Sequence, residues 1–204
     1  MEEKQRQAIL KRFAKAGVKF LCCDGVVISA QTEIEPDAVI KPGTVIEENS
    51  YICPGAKLGP NTHIIGCRVG VMSDVAFSRC EHSTVGEGDI IGPYALVCAG
   101  CTLGANVRVG SFCKVRNCVL SDNAVLGDAV ILTDTDVGGG AVVGSGVTVT
   151  FAADGPKGRV QIGAGARIGA GCIIVAPCNI GANIRVEPGR VITGNVAGGA
   201  VPTE

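Results

Sequence analysis

Large aliphatic residues recur at every sixth position along most of this chain. The 25 positions that follow this spacing fall into five runs, from Ile28 to Ile64, Val85 to Val115, Leu120 to Leu132, Val137 to Val149, and Ile162 to Ile192. A period of six matches neither the 3.6-residue period of an amphipathic helix nor the two-residue alternation of an ordinary strand. The pattern therefore predicts a structure that turns once in every six residues.

Many six-residue units also contain a small residue four places after the aliphatic one, as at Thr32, Ala38 and Thr44, and often a glycine directly after the aliphatic residue. A short strand would point both side chains inward, and glycine would ease the turn that follows. Three such strands would close one triangular coil. Hexapeptide repeats of this kind indicate a parallel β-helix, here of about eight coils and roughly 40 Å in length.

The residues before the first run predict a different element. Segment 2–16 carries good helix formers and the apolar pair Ile9 and Phe13 at helical spacing, and Gly17 is suited to end a helix. We therefore expect an N-terminal helix within residues 1–17 and a β-helix over residues 18–204. The segment is basic, but a solvated helix packed on the prism or on a neighbouring subunit is the favoured interpretation.

Composition and charge narrow the classes of function. The 204 residues include 18 Lys and Arg against 19 Asp and Glu, so a formal net charge of −1 gives no general attraction to nucleic acid or to anionic membranes. The uncharged stretch from Ile90 to Val107 resembles a membrane span by hydropathy, but glycines and Pro93 interrupt it. We expect no membrane segment.

The chain has 11 cysteines but no apolar signal-peptide core near its start. We therefore expect free thiols and a cytoplasmic protein. Cys98 and Cys101 have the spacing of a metal-binding pair, but no second pair matches them and the two side chains should diverge. No metal site is predicted.

An ordered set of short motifs resembles the acetyltransferase half of the bifunctional N-acetylglucosamine-1-phosphate uridyltransferase and glucosamine-1-phosphate N-acetyltransferase family. The resemblance runs along the whole chain through Gly92–Ala95, Gly110–Phe112, Gly144–Gly146, Asp154–Lys157 and Val175–Pro177. It implies a left-handed β-helix and a homotrimer with acetyl-CoA bound between neighbouring prisms, against Ser145, Gly146 and Ala170. The uridyltransferase half has no counterpart here, so uridyl transfer is not expected from this chain.

The resemblance fails at the family's catalytic positions. Asp128 stands where the family has its catalytic histidine, and a carboxylate is a weak base for an ammonium substrate unless burial raises its pKa. Leu96 replaces an arginine that binds the sugar phosphate, and a tyrosine and an asparagine become Ile131 and Val142. Asp128 is thus either an altered base or a solvated turn residue.

Two cations survive as candidates for phosphate binding. Arg116 stands in place of a family lysine, and Lys157 matches the lysine after the Asp-Gly motif. Residues 151–160 interrupt the six-residue period with a polar insertion, and irregular loops on rigid scaffolds often carry function. We expect an external loop there. Both cations are also compatible with ordinary surface charge.

The chain has two histidines, and neither aligns with the catalytic position. His63 precedes Ile64 and should point outward, whereas His82 lies in the irregular stretch Val69–Thr84, which leaves room for an external loop. A relocated histidine base is a weaker alternative than a surface histidine.

Three functional hypotheses remain. The first is an acyl-CoA-dependent transferase whose acceptor differs from glucosamine 1-phosphate, and the second is a catalytically degenerate trimeric scaffold or regulatory homologue. The third is an ancillary enzyme of sugar-nucleotide synthesis that acts with a separate nucleotidyltransferase chain. We favour the first, with related chemistry on an amino-sugar phosphate, and expect the family's own reaction to be slow or absent.

Overall fold

The structure, a computed structural model, describes residues 3–153 and 158–197. It begins with the helix α1 (Glu3–Lys15), which buries Leu10 and Phe13 against the first coil of the prism. Nε of Arg6 donates a hydrogen bond to the Val26 carbonyl oxygen at 2.8 Å, which fixes the helix to that coil. The helix therefore covers apolar core side chains at the N-terminal end of the prism.

Within the described residues, 29 short strands follow the helix. The first fifteen are β1 (Lys19–Phe20), β2 (Val27–Ile28), β3 (Glu33–Ile34), β4 (Val39–Ile40), β5 (Val45–Glu47), β6 (Tyr51–Ile52), β7 (Lys57–Leu58), β8 (His63–Ile65), β9 (Arg68–Val69), β10 (Asp74–Val75), β11 (Arg79–Glu81), β12 (Thr84–Val85), β13 (Ile90–Ile91), β14 (Leu96–Val97) and β15 (Thr102–Leu103). The others are β16 (Arg108–Val109), β17 (Lys114–Arg116), β18 (Val119–Leu120), β19 (Val125–Leu126), β20 (Ile131–Thr133), β21 (Thr135–Val137), β22 (Val142–Val143), β23 (Thr148–Phe151), β24 (Val160–Ile162), β25 (Arg167–Ile168), β26 (Ile173–Ala176), β27 (Cys178–Ile180), β28 (Arg185–Val186) and β29 (Val191–Ile192).

Each strand pairs in parallel with the strand three places further along, so that three sheets form the faces of a triangular prism. The first sheet runs from β1 to β28 and the second from β2 to β29, with ten strands each; the third runs from β3 to β27 with nine. The predicted coil of three strands is confirmed. The prism has about nine turns, so the prediction of about eight coils was too low.

Three columns of turn residues connect these sheets. We call the turns from the first to the second sheet the first corner, those from the second to the third sheet the second corner, and those from the third to the first sheet the third corner. In the middle of the prism these turns contain Ser111 and Phe112, Asn117, and Asp122 and Asn123, respectively. One residue of nearly every turn has a positive φ, as at Phe112 (58°) and Asn117 (50°).

The core is a single stack of side chains inside the prism. The aliphatic residues at the six-residue positions are 0–7% exposed, and the small residues four places later, such as Thr44 and Ala56, are also buried. The predicted inward orientation of both positions is confirmed. Narrow layers of Val, Ile, Leu, Ala and Cys thus replace a bulky aromatic core.

The stretch Val69–Thr84 forms regular coils and not the external loop that its irregular spacing left open. Val69, Val75 and Cys80 occupy inward core positions and are fully buried. The period was hidden because Cys80 replaces an aliphatic residue and because the steps from Ile64 to Val69, from Val75 to Cys80 and from Cys80 to Val85 are five residues long. Phe20 of strand β1 is half-buried and pairs in register with Ile40. It therefore continues the series of inward-facing positions before Ile28.

The one helix in the described part of the chain is too short and too polar to cross a lipid bilayer.

Candidate functional site

The first corner brings together four residues from successive coils. Amide N–H groups donate from Ala129 to the Ser111 carbonyl oxygen at 2.7 Å, from Gly146 to that of Asp128 at 2.8 Å, and from Gly171 to that of Ser145 at 2.8 Å. Ser111, Asp128, Ser145 and Ala170 therefore form one column along the prism, in which Ser111 is half-buried and the other three residues are exposed. The predicted cofactor residues and the predicted base lie on this column.

Asp128 is exposed, and its carboxylate takes part in backbone hydrogen bonds between coils. Oδ1 accepts from the N–H of Ser111 at 2.8 Å, and the Asp128 N–H donates to Oγ of Ser145 at 3.1 Å. A carboxylate that accepts from a backbone amide stabilises the turn, as a cap does at a helix end. The turn-residue interpretation thus has direct geometric support.

The surfaces on both sides of Asp128 carry apolar and basic side chains. Leu96 and Ile131 lie on the second sheet with Lys114 between them in register, and Val142 lies on the adjoining first sheet. The sequence analysis missed Lys114. It directly precedes the inward-facing Val115, so the two-residue alternation of a strand was the signal that placed it outward. Lys114 and Ile131 are both exposed.

Arg116 lies at the other edge of the second sheet. It ends β17, next to the second corner, and pairs in register with Thr133. Asp128 lies at the first corner and Thr133 at the opposite end of β20, so the width of the second sheet separates the two. Arg116 and Asp128 of one chain are therefore too far apart for a direct contact.

Lys157 falls within 154–157, outside the described residues. Arg159, which the sequence analysis did not consider, lies just after this segment. Its Nε donates to Oδ2 of Asp136 at 3.1 Å, and its Nη2 donates to the Asn117 carbonyl oxygen at 3.0 Å and to Oδ1 of Asp136. The hydrogen bonds to Asp136 raise the pKa of Arg159. They tie the end of the 151–160 insertion to the second corner, near Arg116.

Three aromatic rings extend the first corner in the N-terminal direction from Asp128. The ring centroids of Phe77 and Tyr94 are 5.7 Å apart, and those of Tyr94 and Phe112 are 5.1 Å apart. Their φ angles of 50°, 61° and 58° lie in the left-handed region, which bulky side chains rarely adopt. Hydrogen bonds from coil to coil and ring stacking hold these residues in place.

Each histidine pairs with a glutamate, and the two glutamates are adjacent in the sequence. Nε2 of His63 lies 2.7 Å from Oε2 of Glu47, and Nδ1 of His82 lies 3.4 Å from Oε2 of Glu48. His63 points outward as predicted, and Arg79 lies 3.3 Å from its Nδ1. His82 lies at the second corner and is therefore separated by the second sheet from the column that contains Asp128. His63 lies in the same row of the second sheet as Ile131 but four strands away, about 19 Å, so neither histidine is placed to act as a base beside Asp128.

All eleven cysteines lie in the described residues and are free thiols, and nine of them are buried. Cys101, Cys113, Cys172 and Cys178 occupy buried positions, as predicted. No group of three or more His, Cys, Asp or Glu side chains in residues 3–153 and 158–197 is arranged to hold a metal ion.

Comparison with known proteins relates this chain to part of a larger enzyme. Over 94% of its length it is 30% identical to the bifunctional protein GlmU of Nostoc, and over 98% it is 29% identical to that of Streptococcus thermophilus. It is homologous to a part of GlmU. The chain spans about 42–44% of the length of these relatives. The resemblance found in the sequence is thus confirmed. No protein-family model matches the chain.

Solved structures support the fold. LpxA from Acinetobacter baumannii superimposes with a TM-score of 0.51 at 22% identity, over 78% of this chain and 66% of that one. The UDP-N-acetylglucosamine acyltransferase of Arabidopsis gives 0.50 at 14% identity, over 88% and 67%. The predicted left-handed parallel β-helix of hexapeptide repeats is confirmed.

Proposed function

We propose that this chain is a hexapeptide-repeat acyltransferase related to UDP-N-acetylglucosamine metabolism, with acetyl-CoA or another acyl-CoA as the donor. The observation that carries the proposal is the exposed column at the first corner, which retains Ser145, Gly146 and Ala170 in a chain homologous to part of GlmU. Exposed backbone and small side chains let an extended ligand approach closely along this column. Arg116 and Lys157 would bind an anionic acceptor such as an amino-sugar phosphate.

A homotrimer would bring these groups together. Arg116 and Asp128 lie at opposite edges of the second sheet of one chain, so an acceptor bound at Arg116 is out of reach of the same chain's first corner. If the first corner of one copy faces the second corner of the next, both halves of the site meet between the copies. A separate nucleotidyltransferase chain is a further candidate partner.

Glucosamine 1-phosphate should be a poor acceptor. Asp128 accepts a hydrogen bond from the backbone of the preceding coil, and the apolar side chains of Leu96, Ile131 and Val142 replace the polar groups of the family around it. General-base catalysis needs a group that is free to take a proton from the reacting amine. These observations also favour the second candidate function, a trimeric scaffold without acetyltransferase activity.

Binding of the donor separates the two functions. We would titrate the protein with acetyl-CoA and follow thermal unfolding, since a ligand at a hundred times its Kd stabilises the folded state by about 2.7 kcal/mol. A saturable shift supports the acyltransferase. No shift up to millimolar acetyl-CoA would favour the scaffold.

The chain offers a matched pair of variants for this titration. Ala170 lies in the sequence Gly169-Ala170-Gly171 at the first corner, and Ala164 lies in an identical Gly-Ala-Gly turn at the third corner. Both alanines are exposed, and Gly165 and Gly171 have nearly equal φ angles of 68° and 69°. Ala170→Glu should abolish the shift because its carboxylate repels the phosphates of CoA, whereas Ala164→Glu should keep it. If acetyl-CoA raised the Tm of both variants equally, the donor would bind at a different site.

A further inference from the structure

Cys101 and Cys118 are neighbours on consecutive coils of the prism. The residues that follow them, Thr102 and Val119, pair in register, and the N–H of Thr102 donates to the Cys118 carbonyl oxygen at 2.9 Å. Adjacent strands lie about 4.8 Å apart, which is within the Cα separation of about 4.4–6.8 Å that a disulfide bridges. The two thiols lie close enough for each to change the pKa of the other.

The surroundings of Cys101 favour its thiolate form. The side chains of Cys118 and Ser83 and the backbone N–H groups of Asn117 and Cys118 lie around its sulfur and favour its negative charge. The thiol of Cys118 makes the largest contribution and, with the other donors, lowers the pKa of Cys101 to about 7 despite burial. The pKa of Cys118 is raised by the same contact and by burial. Because a thiolate is the reactive form of cysteine, Cys101 is suited to be the nucleophile and Cys118 the partner thiol.

Cys101 also has a route to solvent. It lines a shallow cleft of about 450 Å³ over the second corner and the third sheet, together with Arg68, His82, Ser83 and Gly100. Gly100 is the turn residue next to Cys101 and has no side chain to cover the sulfur. Cys118 is fully buried, so an oxidant arriving through the cleft meets Cys101 first.

We propose that Cys101 and Cys118 form a redox-active pair that a peroxide converts into a disulfide between two consecutive coils. The Cys101 thiolate attacks one oxygen of hydrogen peroxide, the O–O bond breaks, and hydroxide leaves and takes up a proton to become water. The product is a sulfenic acid on Cys101. The sulfur of Cys118 then attacks the Cys101 sulfur, the S–O bond breaks, and a second water leaves with the Cys118 proton. Two thiols and one hydrogen peroxide thus give one disulfide and two waters.

The test treats the folded chain with hydrogen peroxide, then quenches, denatures and alkylates it before digestion with trypsin and mass spectrometry. Arg108, Lys114 and Arg116 lie between the two cysteines, so cleavage places them in different peptides, and Cys118 is the only cysteine of its peptide. We expect a cross-linked pair of these peptides that lacks two hydrogens. Absence of this pair after oxidation would overturn the proposal.

Serine variants assign the two roles. Ser83 and Thr135 occupy the equivalent positions on the coils before Cys101 and after Cys118 and are buried, so serine fits this column of the prism. Cys101→Ser should leave Cys118 reduced. Cys118→Ser should stop the reaction at the sulfenic acid of Cys101, which dimedone traps. Retention of a Cys118 disulfide in Cys101→Ser, or no dimedone adduct in Cys118→Ser, would contradict the assignment.

Cys113→Ser is the matched control. Cys113 is equally buried and donates a hydrogen bond to the Gly127 carbonyl oxygen at 2.9 Å, but burial raises the pKa of its thiol. The variant should form the cross-link between Cys101 and Cys118 as the unaltered chain does. Loss of the cross-link in this variant would show that any cysteine replacement disturbs the reaction and would overturn the specific pairing. The proposal is independent of acyl transfer.

Discussion

Asp89 is a carboxylate within the wall of the prism. Its side chain is fully buried, and its two oxygens accept hydrogen bonds from the N–H groups of Gly86 at 2.7 Å and Val107 at 2.8 Å. Burial raises its pKa to about 6 in spite of these two donors. One acidic side chain thus joins two consecutive turns of the third corner. Burial disfavours its charged form.

The pKa of Asp89 makes folding stability depend on pH. Because the folded-state pKa of about 6 exceeds the ordinary value of 3.8, the folded chain binds this proton more tightly than the unfolded chain does. The stabilisation is complete below about pH 4 and is lost as the pH rises through 6. We expect Asp89→Asn to remove this contribution to the change of folding stability with pH. The urea midpoints at pH 4.5 and pH 7 measure the change.

Asp128→Asn is the control for this measurement, since Asp128 also accepts a backbone N–H but is exposed. The comparison separates the effect of burying a carboxylate from the effect of losing its hydrogen bond to the backbone. An Asp89→Asn protein whose midpoint changes with pH as much as that of the unaltered chain would exclude Asp89 as the source.

Neighbouring residues of one strand point in opposite directions, one into the core and one to solvent. Their replacement by alanine should therefore change the free energy of unfolding by amounts that differ severalfold. Leu132 of β20 is fully buried, whereas Ile131 beside it is 41% exposed. Leu132→Ala should lower the free energy of unfolding by about 2–5 kcal/mol because it leaves a cavity in the core. Ile131→Ala should cost less than about 1 kcal/mol. Urea unfolding of the two variants checks this, and similar losses would contradict the inward and outward assignment.

The turns between strands stack as closely as the strands. A Cβ atom added to Gly86 would lie 1.7 Å from the carbonyl oxygen of Gly104 on the next coil, whereas one added to Gly194 would meet no atom within 4 Å. Because the obstacle is backbone, the coils themselves must separate. Gly86→Ala should therefore destabilise the chain by about 3 kcal/mol or more, and Gly194→Ala by less than about 1 kcal/mol. Equal urea midpoints for the two variants would show that the coils are less tightly stacked than the structure indicates.

At the scale of the whole molecule, the architecture could be predicted from the sequence because most coils repeat the same pattern of inward-facing aliphatic and small residues. Ile40, Leu58 and Ala38 face inward for reasons of size and polarity that one chain segment contains. The six-residue period was not recognised between Ile64 and Val85, because Cys80 replaces an aliphatic residue there and three of the steps are five residues long. The prediction also missed the Arg159 contacts, which join residues 23 and 42 positions apart. Nothing in either segment alone indicates such a pairing, and the same holds for the hydrogen bond between Asp128 and Ser111.

The separation of Arg116 from the first corner makes a prediction about assembly. If each site is formed by the first corner of one copy and the second corner of the next, then Ala170→Glu and Arg116→Ala disable different halves of it. Once an acceptor that supports turnover is found, each variant alone should be inactive. In trimers formed from an equal mixture, about a quarter of the sites combine two intact halves by random assortment, so about a quarter of the activity should return. Unfolding the two variants together, refolding them and measuring CoA release tests this. A mixture as inactive as its parts would mean that one chain contains the whole site.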